Sequence, residues 1–426
     1  MFNNEIMKQG EKIKRIRKML HMTQEELAEG ICSKQNISLI ENNKQKISVN
    51  LANAIAKKFN RIAKEKEINI STITPGELMI DEDEQANYIF SNNIISELKE
   101  IQTIDLFEQK LLKAENIIRE HVITDSNKIE LYKLATDFYY YRYQYTKSDK
   151  MCDNGLKICI NSLNNFEEAI FYIYHSRNYI FTENYIKALQ QLDYAEKLNS
   201  HIMDDNLSIM ILYHRGLTYK KLGEYDTALK YFKILKEKNV KDKTMLLKIK
   251  MMYANCLTEK NEFEEAEKEY FEILSINDKD FIALAYKNLS ELYLNNKKYK
   301  ESAKCIKESL IYNEKNVYLD ESLFFAAKVL THVNEDVETY LLQALEICEG
   351  KDRENLDLIK DIIDELVLIY IEREEEENLM LMADKAKVLN INYCLSYARI
   401  SKYYKGRNEE KSTYFTNELI DKLKQV

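Results

Sequence analysis

One spacing recurs four times along the middle of the chain. Gly216 is followed three residues later by Tyr219, twelve later by Ala228, and Phe232 lies four beyond that. Ser176, Tyr179, Ala188 and Leu192 repeat the pattern upstream. Ala254, Leu257, Ala266 and Tyr270, then Ser290, Tyr293, Ser302 and Ile306, repeat it downstream. The second small residues are 40, 38 and 36 positions apart, and an aromatic residue (Tyr185, Tyr225, Phe263 or Tyr299) stands three before each. Self-similarity of this kind outranks any local reading. Each unit reads as a helical hairpin whose small residues let its two helices approach, while the larger ones plug the gap to the next hairpin. A single hairpin cannot bury its apolar face, so the units must stack. A divergent unit is expected at 128–164, around Ala135 and Phe138, and decayed hairpins over 311–426, giving about eight or nine in all.

Only 8 glycines and 1 proline occur in 426 residues. Strand turns and glycine-rich phosphate loops therefore have almost nothing to be built from, and the fold is expected to be all-α. No run of about 18 apolar residues exists, and the charged N-terminal residues are followed by no apolar core. Neither a spanning helix nor a signal peptide is expected, which places the chain in the cytoplasm with no membrane partner. The seven cysteines (32, 152, 159, 256, 305, 348, 394) are scattered without a CxxC pair, as reduced core thiols would be.

The net charge of −9 conceals an asymmetry: residues 1–80 carry 14 Lys and Arg against 9 Asp and Glu, and the remainder 48 against 62. At the basic end, Ile13, Ile16 and Leu20 make one apolar face of a helix over 9–20, with Lys12, Arg15 and Lys18 expected outward. Thr23 opens T-Q-E-E, a capping box with Glu26 that starts a short second helix through Leu27 and Ala28. Ser33 starts a third, with Ile37 and Ile40 facing in, and Ser48 a fourth, with Leu51, Ile55 and Phe59 inside.

The stretches T-Q-E-E-L-A at 23–28 and S-K-Q-N-I-S-L-I-E-N at 33–42 resemble the helix-turn-helix of the phage-repressor (XRE) family. That resemblance implies a five-helix domain over 1–66 that sets its third helix into the DNA major groove. By it, Ser33 opens the reader helix, Lys34 and Gln35 meet bases, and Ser38 or Leu39 follow. Lys suits guanine acceptors and Gln suits adenine. Gln24, Lys44 and Lys46 would hold phosphates. Arg17 and Glu41 occupy positions where the family commonly has a buried ion pair, and Asn43 replaces the usual glycine at a left-handed turn.

Residues 67–127 read as a linker with connecting helices: a loop over 67–74, then a helix start in which Thr74 caps, Pro75 takes the first position and Glu77 completes a capping box. D-E-D-E at 81–84 reads as a solvated run near a helix start, and E-R-E-E-E-E at 372–377 as a solvated turn.

The repeats over 128–426 resemble tetratricopeptide repeats with steps longer than that family's 34 residues. L-G-E-Y-D-T-A at 222–228 is the most specific stretch. In such a stack the first helix of each pair lines the inner face. Counting from each first small residue selects Arg177, Tyr213, Leu217, Lys220, Met251, Asn255, Thr258, Lys287, Asn288, Glu291 and Asn295. Carboxamides can pair with a peptide backbone's donor and acceptor together, and cations can take a carboxylate, so an extended peptide is the expected occupant. In the run Y-Y-Y-R-Y-Q-Y at 139–145, Tyr139 and Tyr143 are placed on one helix face and Tyr141 and Tyr145 on another, and two readings stay open: they line the groove, or, the favoured one, they pack on the linker or a second subunit. H-x-x-D-D at 201–205 reads as a helix terminus, and no metal or other cofactor is expected. No nucleophile, base and acid assemble, so an enzyme is not expected.

A repressor-like helix-turn-helix followed by such a stack resembles the RRNPP group of cytoplasmic peptide-pheromone receptors of Gram-positive bacteria. The resemblance implies a homodimeric transcription regulator that binds double-stranded operator DNA and a short signalling peptide. Two alternatives stay open: a regulator whose repeats bind a protein partner, and a Rap-like interaction protein that sequesters a response regulator.

Overall fold

The computed structural model describes residues 5–276, 278–312, 319–350, 356–389 and 393–424. Among them there is no β-strand, and no helix is long and apolar enough to cross a membrane. The chain divides into two compact units, residues 1–204 and 205–426.

The first unit begins with a helical head: α1 Gln9–Met19, α2 Gln24–Ala28, α3 Lys34–Glu41, α4 Val49–Glu65 and α5 Pro75–Met79. Capping starts these helices where the sequence calls for it. Thr23 Oγ1 accepts from Glu26 N at 3.1 Å and Glu26 returns the bond to Thr23 N at 2.6 Å. Ser33, Ser48 and Thr74 cap α3, α4 and α5. Ile13, Ile16, Leu20, Leu27, Ile37, Ile40, Ile55 and Phe59 are buried together, and Ile73 and Leu78 join the same core. The fifth helix of the head is therefore α5, beyond residue 66. Asn43 is left-handed, at φ 56, and closes α3 with Lys44 N donating to Leu39 O at 2.8 Å. Its Oδ1 also accepts from Gly10 N at 3.0 Å. Gly10 is required there, because a Cβ would lie 1.9 Å from Ile40 O.

Lys12 does not face outward as expected. It is 1% exposed, and its Nζ donates to Ile80 O at 2.6 Å and Glu77 O at 3.3 Å, the open carbonyls at the end of α5. The helical period placed it correctly on the flank of α1; what the period could not show is that α5 docks on that flank. Two further links bind the start of the chain to α5 and to the helix after it. Met7 N donates to Gln85 Oε1 at 3.2 Å and Gln85 Nε2 to Met7 O at 2.7 Å, while Gln9 Nε2 donates to Met79 O. The D-E-D-E run is more than solvated charge. Asp81 caps Glu82–Ile89 in a capping box with Glu84, and Asp83 accepts from Val122 N at 3.0 Å.

After the connecting helices come two hairpins, Asp125–Tyr140 with Tyr145–Ser162 and Asn165–Phe181 with Tyr185–Ile202. The tyrosine run is the turn of the first hairpin. The helix ends at Tyr140 and Tyr143 sits at φ 58, so the face assignments made for one continuous helix do not apply. Tyr139 is buried against Phe107 of the connecting helix Ile104–Glu120, ring centroids 5.8 Å apart, as expected for packing on the linker. Tyr141 remains 66% exposed. At 201–205 the helix terminates at left-handed Met203, and the Asn199 carboxamide closes the turn on Asp204.

Among the described residues, the second unit holds six hairpins, Asp205–Lys221 with Tyr225–Glu237 through Cys394–Tyr404 with Glu409–Leu423. The repeat spacing now has a physical meaning. The aromatic residues are the first residues of the second helices. The residue three after each first small one accepts the bond that closes the hairpin turn: Asn184 N to Tyr179 O, Glu224 N to Tyr219 O, Glu262 N to Leu257 O and Lys298 N to Tyr293 O, at 2.8–2.9 Å. Between them a left-handed residue occurs each time: Glu183, Gly223, Asn261 and Lys297. At Gly216 a Cβ would lie 2.8 Å from the Phe232 ring. Ser290 and Ser302 are fully buried and bond reciprocally, each hydroxyl donating to the other's carbonyl at 2.8 and 2.7 Å. The acidic turn at 372–377 is not merely solvated. Arg373 pairs with Asp336 and Glu338 of the preceding hairpin, and Glu374 and Glu376 with Arg407 and Lys411 of the following one.

Candidate functional site

The head presents α3 on a fixed base. Arg17 Nε lies 2.6 Å from Glu41 Oε1 and Nη2 2.8 Å from Oε2, a two-point ion pair that ties α1 to the end of α3. Arg17 Nη1 also donates to Met22 O at 2.7 Å. Hydrogen bonding to Glu41 holds the Arg17 pKa above its ordinary value. With Ile37 and Ile40 buried, Ser33, Lys34, Gln35 and Leu39 are exposed and Ser38 is half-buried. Lys44 and Lys46 follow on the exposed turn after α3. Leu39, at 42% exposure, offers an apolar contact among polar neighbours.

Gln24 is placed differently from its expected phosphate role. Its Nε2 donates to Glu41 Oε2 at 2.7 Å, so the carboxamide completes the ion pair instead of extending from the start of α2. Glu25, next to it, was not singled out by sequence reasoning, and it lies 2.5 Å from Lys34 Nζ. An acidic residue nine positions before Lys34, on the exposed side of a short capped helix, was the available signal.

The residues expected on the inner face sort into three kinds. Met251 is 1% exposed and belongs to the core, and Arg177 is closed in. The Arg177 guanidinium lies over the Tyr140 and Tyr174 rings, 3.7 and 4.5 Å from their centroids, with Nη2 2.8 Å from Asp137 Oδ1. Tyr213, Leu217, Lys220 and Lys287 are half-buried, whereas Glu291 and Asn295 are exposed. Burial pushes the Tyr213 phenol up to about 12. The third group is a network. Asn288 Nδ2 donates to Asn255 Oδ1 at 2.9 Å, Tyr270 OH donates to the same oxygen at 2.7 Å, and Thr258 Oγ1 lies 3.2 Å from Tyr270 OH.

Asn255 and Asn288 stand on the first helices of consecutive hairpins, Lys243–Glu259 and Lys279–Asn295, and Tyr270 on the second helix between them. Because Asn255 Oδ1 accepts twice and Asn288 Nδ2 donates, Asn255 Nδ2 and Asn288 Oδ1 take no hydrogen bond within the described residues. Each carboxamide thus keeps one open group, a donor on Asn255 and an acceptor on Asn288. The repeat spacing assigns Tyr270 a packing role only. Its hydroxyl, at a position where Leu192, Phe232 and Ile306 carry none, was the signal that a buried polar group needed a partner.

The helix-turn-helix family model matches residues 13–62, the span that runs from within α1 through most of α4. Residues 13–62 are a helix-turn-helix domain. No curated protein sequence matches the chain significantly. Several solved structures are similar. The apo form of the quorum sensor NprR from B. thuringiensis shares 15% identity over 79% of this chain and 97% of that one, with a TM-score of 0.48. A Rap protein complexed with competence and sporulation factor shares 12% over 97% and 98%, at 0.47. Bacillus thuringiensis PlcR in complex with the peptide PapR7 and DNA shares 15% over 80% and 94%, at 0.30.

Proposed function

We propose that the chain is a cytoplasmic transcription regulator that acts as a homodimer. The helix-turn-helix domain reads an operator through α3, and the inner face of the hairpins holds a short linear signalling peptide that alters DNA binding. The observation that carries the DNA half is the exposure of Lys34, Gln35 and Leu39 on a helix whose other side is locked into a core and a two-point ion pair. Those side chains match base-edge chemistry, and Lys44 and Lys46 add phosphate-type contacts beside them. A single small domain covers one half-site, and two half-sites repeat at roughly 34–36 Å, which a symmetric dimer spans.

The peptide half is supported by the Asn255–Asn288 couple. An extended peptide offers one N–H and one C=O per residue, and the couple offers their complements without regard to side chain. The peptide moves the DNA equilibrium only to the extent that it binds two states of the protein unequally. Selection of preferred sites from random duplex DNA, with and without a pool of random heptapeptides, tests both halves. Sequence preference lost in Lys34→Ala and Gln35→Ala, and peptide retention lost in Asn255→Ala, are the expected results. No preferred DNA site would remove the first half. Retention of no peptide, with a folded protein partner captured in its place, would remove the second.

A further inference from the structure

Lys34 opens the reader helix, and it is not a solitary cation. Its ammonium lies 2.5 Å from Glu25 Oε1, with the two side chains 54% and 69% exposed. Glu25 belongs to the first turn of α2, which the Thr23–Glu26 capping box fixes at its start. A carboxylate on the face that meets DNA needs an explanation. Duplex DNA carries one negative charge per about 1.7 Å of axis, so an acid there weakens binding unless it does something else.

We propose that Glu25 is a positioning residue that sets the protein's DNA sequence preference by holding Lys34 over the base edges. A lysine at the start of α3, on a flexible four-carbon stem, is drawn to the nearest phosphate, and phosphate contacts carry no sequence information. Glu25 cannot approach a phosphate without repulsion, and it keeps the ammonium at the junction of α2 and α3. An ammonium has three donors. One is held by Glu25, and two are left to point at the O6 and N7 acceptors that guanine alone presents together in the major groove. Glu25 thus gives up some general affinity and sharpens a guanine preference at one base pair. The role rests on α3 being the reader, and the experiment separates the two claims.

The wild-type full-length chain is first used to recover its preferred site from random duplex DNA. Affinities for that site and for random duplex are then measured against salt for wild type, Glu25→Gln, Lys34→Ala and the double variant. Glu25→Gln is expected to bind random duplex about 3–10-fold more tightly, with a salt slope steeper by about one phosphate. Its ratio of specific to random affinity is expected to fall about tenfold, with the guanine preference flattened at one position. Glu25→Asp, which keeps the charge, should hold that ratio within about twofold, and adding Glu25→Gln to Lys34→Ala should change it by less than about twofold. A merely structural role would lower both affinities together. If wild type recovers a preferred site but Glu25→Gln leaves the ratio intact, or lowers it equally without Lys34, the role of Glu25 is wrong while α3 remains the reader. If wild type recovers no preferred site, both fall.

Discussion

Arg17 and Glu41 meet through two parallel hydrogen bonds of 2.6 and 2.8 Å, and the Glu41 side chain is only 1% exposed. The carboxylate also accepts from Gln24, so two side chains from two other helices depend on one acidic residue. Glu41→Ala should destabilise the head by about 3–5 kcal/mol, because it leaves a largely buried guanidinium without its acceptor. The double variant Arg17→Met with Glu41→Leu should lose less than Glu41→Ala alone, since no charge remains to be desolvated. Thermal unfolding of the three proteins checks this, and a double variant weaker than the single would refute it.

Lys12 is buried beside two backbone carbonyls, and desolvation lowers its pKa from 10.5 to about 8, with Asp81, Glu84, Glu82 and Glu77 opposing the shift. The folded-state pKa lies below the unfolded one, so between pH 8 and 10.5 the unfolded chain binds the extra proton. The contribution of this group to stability therefore rises with pH across that window, by up to about 1.4 kcal/mol per pH unit. A neutral amine keeps two N–H donors for the Glu77 and Ile80 carbonyls. Lys12→Met should remove that rise from denaturant midpoints taken between pH 7 and 10, whereas Lys18→Met should not.

With so few glycines, most hairpin turns place an ordinary residue in the left-handed region. Lys297, at φ 59 and exposed, occupies the turn position that Gly223 fills in an earlier hairpin at φ 78. Lys297→Gly should stabilise the second unit by about 1 kcal/mol, because the Cβ penalty of that conformation disappears. Gly223→Lys should lose a similar amount. Equal unfolding midpoints in all three proteins would show that the turns carry no such cost.

Tyr270 is 1% exposed, and burial raises its phenol pKa. Its hydroxyl donates to Asn255 Oδ1 at 2.7 Å and so orients that carboxamide. Tyr270→Phe keeps the ring and removes one of the two donors to Asn255 Oδ1. Retention of the heptapeptide pool should fall about 3–10-fold, the worth of one buried hydrogen bond, with little loss of packing. Unchanged retention would mean that Asn288 alone orients the couple.

How far the fold was legible depends on which residues recur. The spacing of Gly216, Tyr219, Ala228 and Phe232 located the hairpins, because each position performs the same steric task in every unit. The short helices of the head were legible from T-Q-E-E and the caps around it, which are local signals. Lys12, Gln24 and Arg177 were misplaced for one shared reason. Each is a long polar side chain on a helix flank, and its partner lies far along the chain: the carbonyls of Glu77 and Ile80, Glu41, and the Tyr140 ring. Periodicity assigns a side chain to a flank, but it does not tell whether another element covers that flank. Met251 shows the same limit within the repeats, where the counting rule selected a residue that the neighbouring hairpin buries.

The reciprocal serine bonds between Ser290 and Ser302 recur near the end of the chain. There Ser401 donates to Ser412 O and Ser412 to Ser401 O, both at 3.1 Å. Two helices riveted in this way cannot slip lengthwise past each other without breaking both bonds at once. Such a hairpin moves as one stiff plank. Any bending that a bound molecule induces must then fall on the seams between planks, where the contacts are side chain against side chain and can shear by small steps.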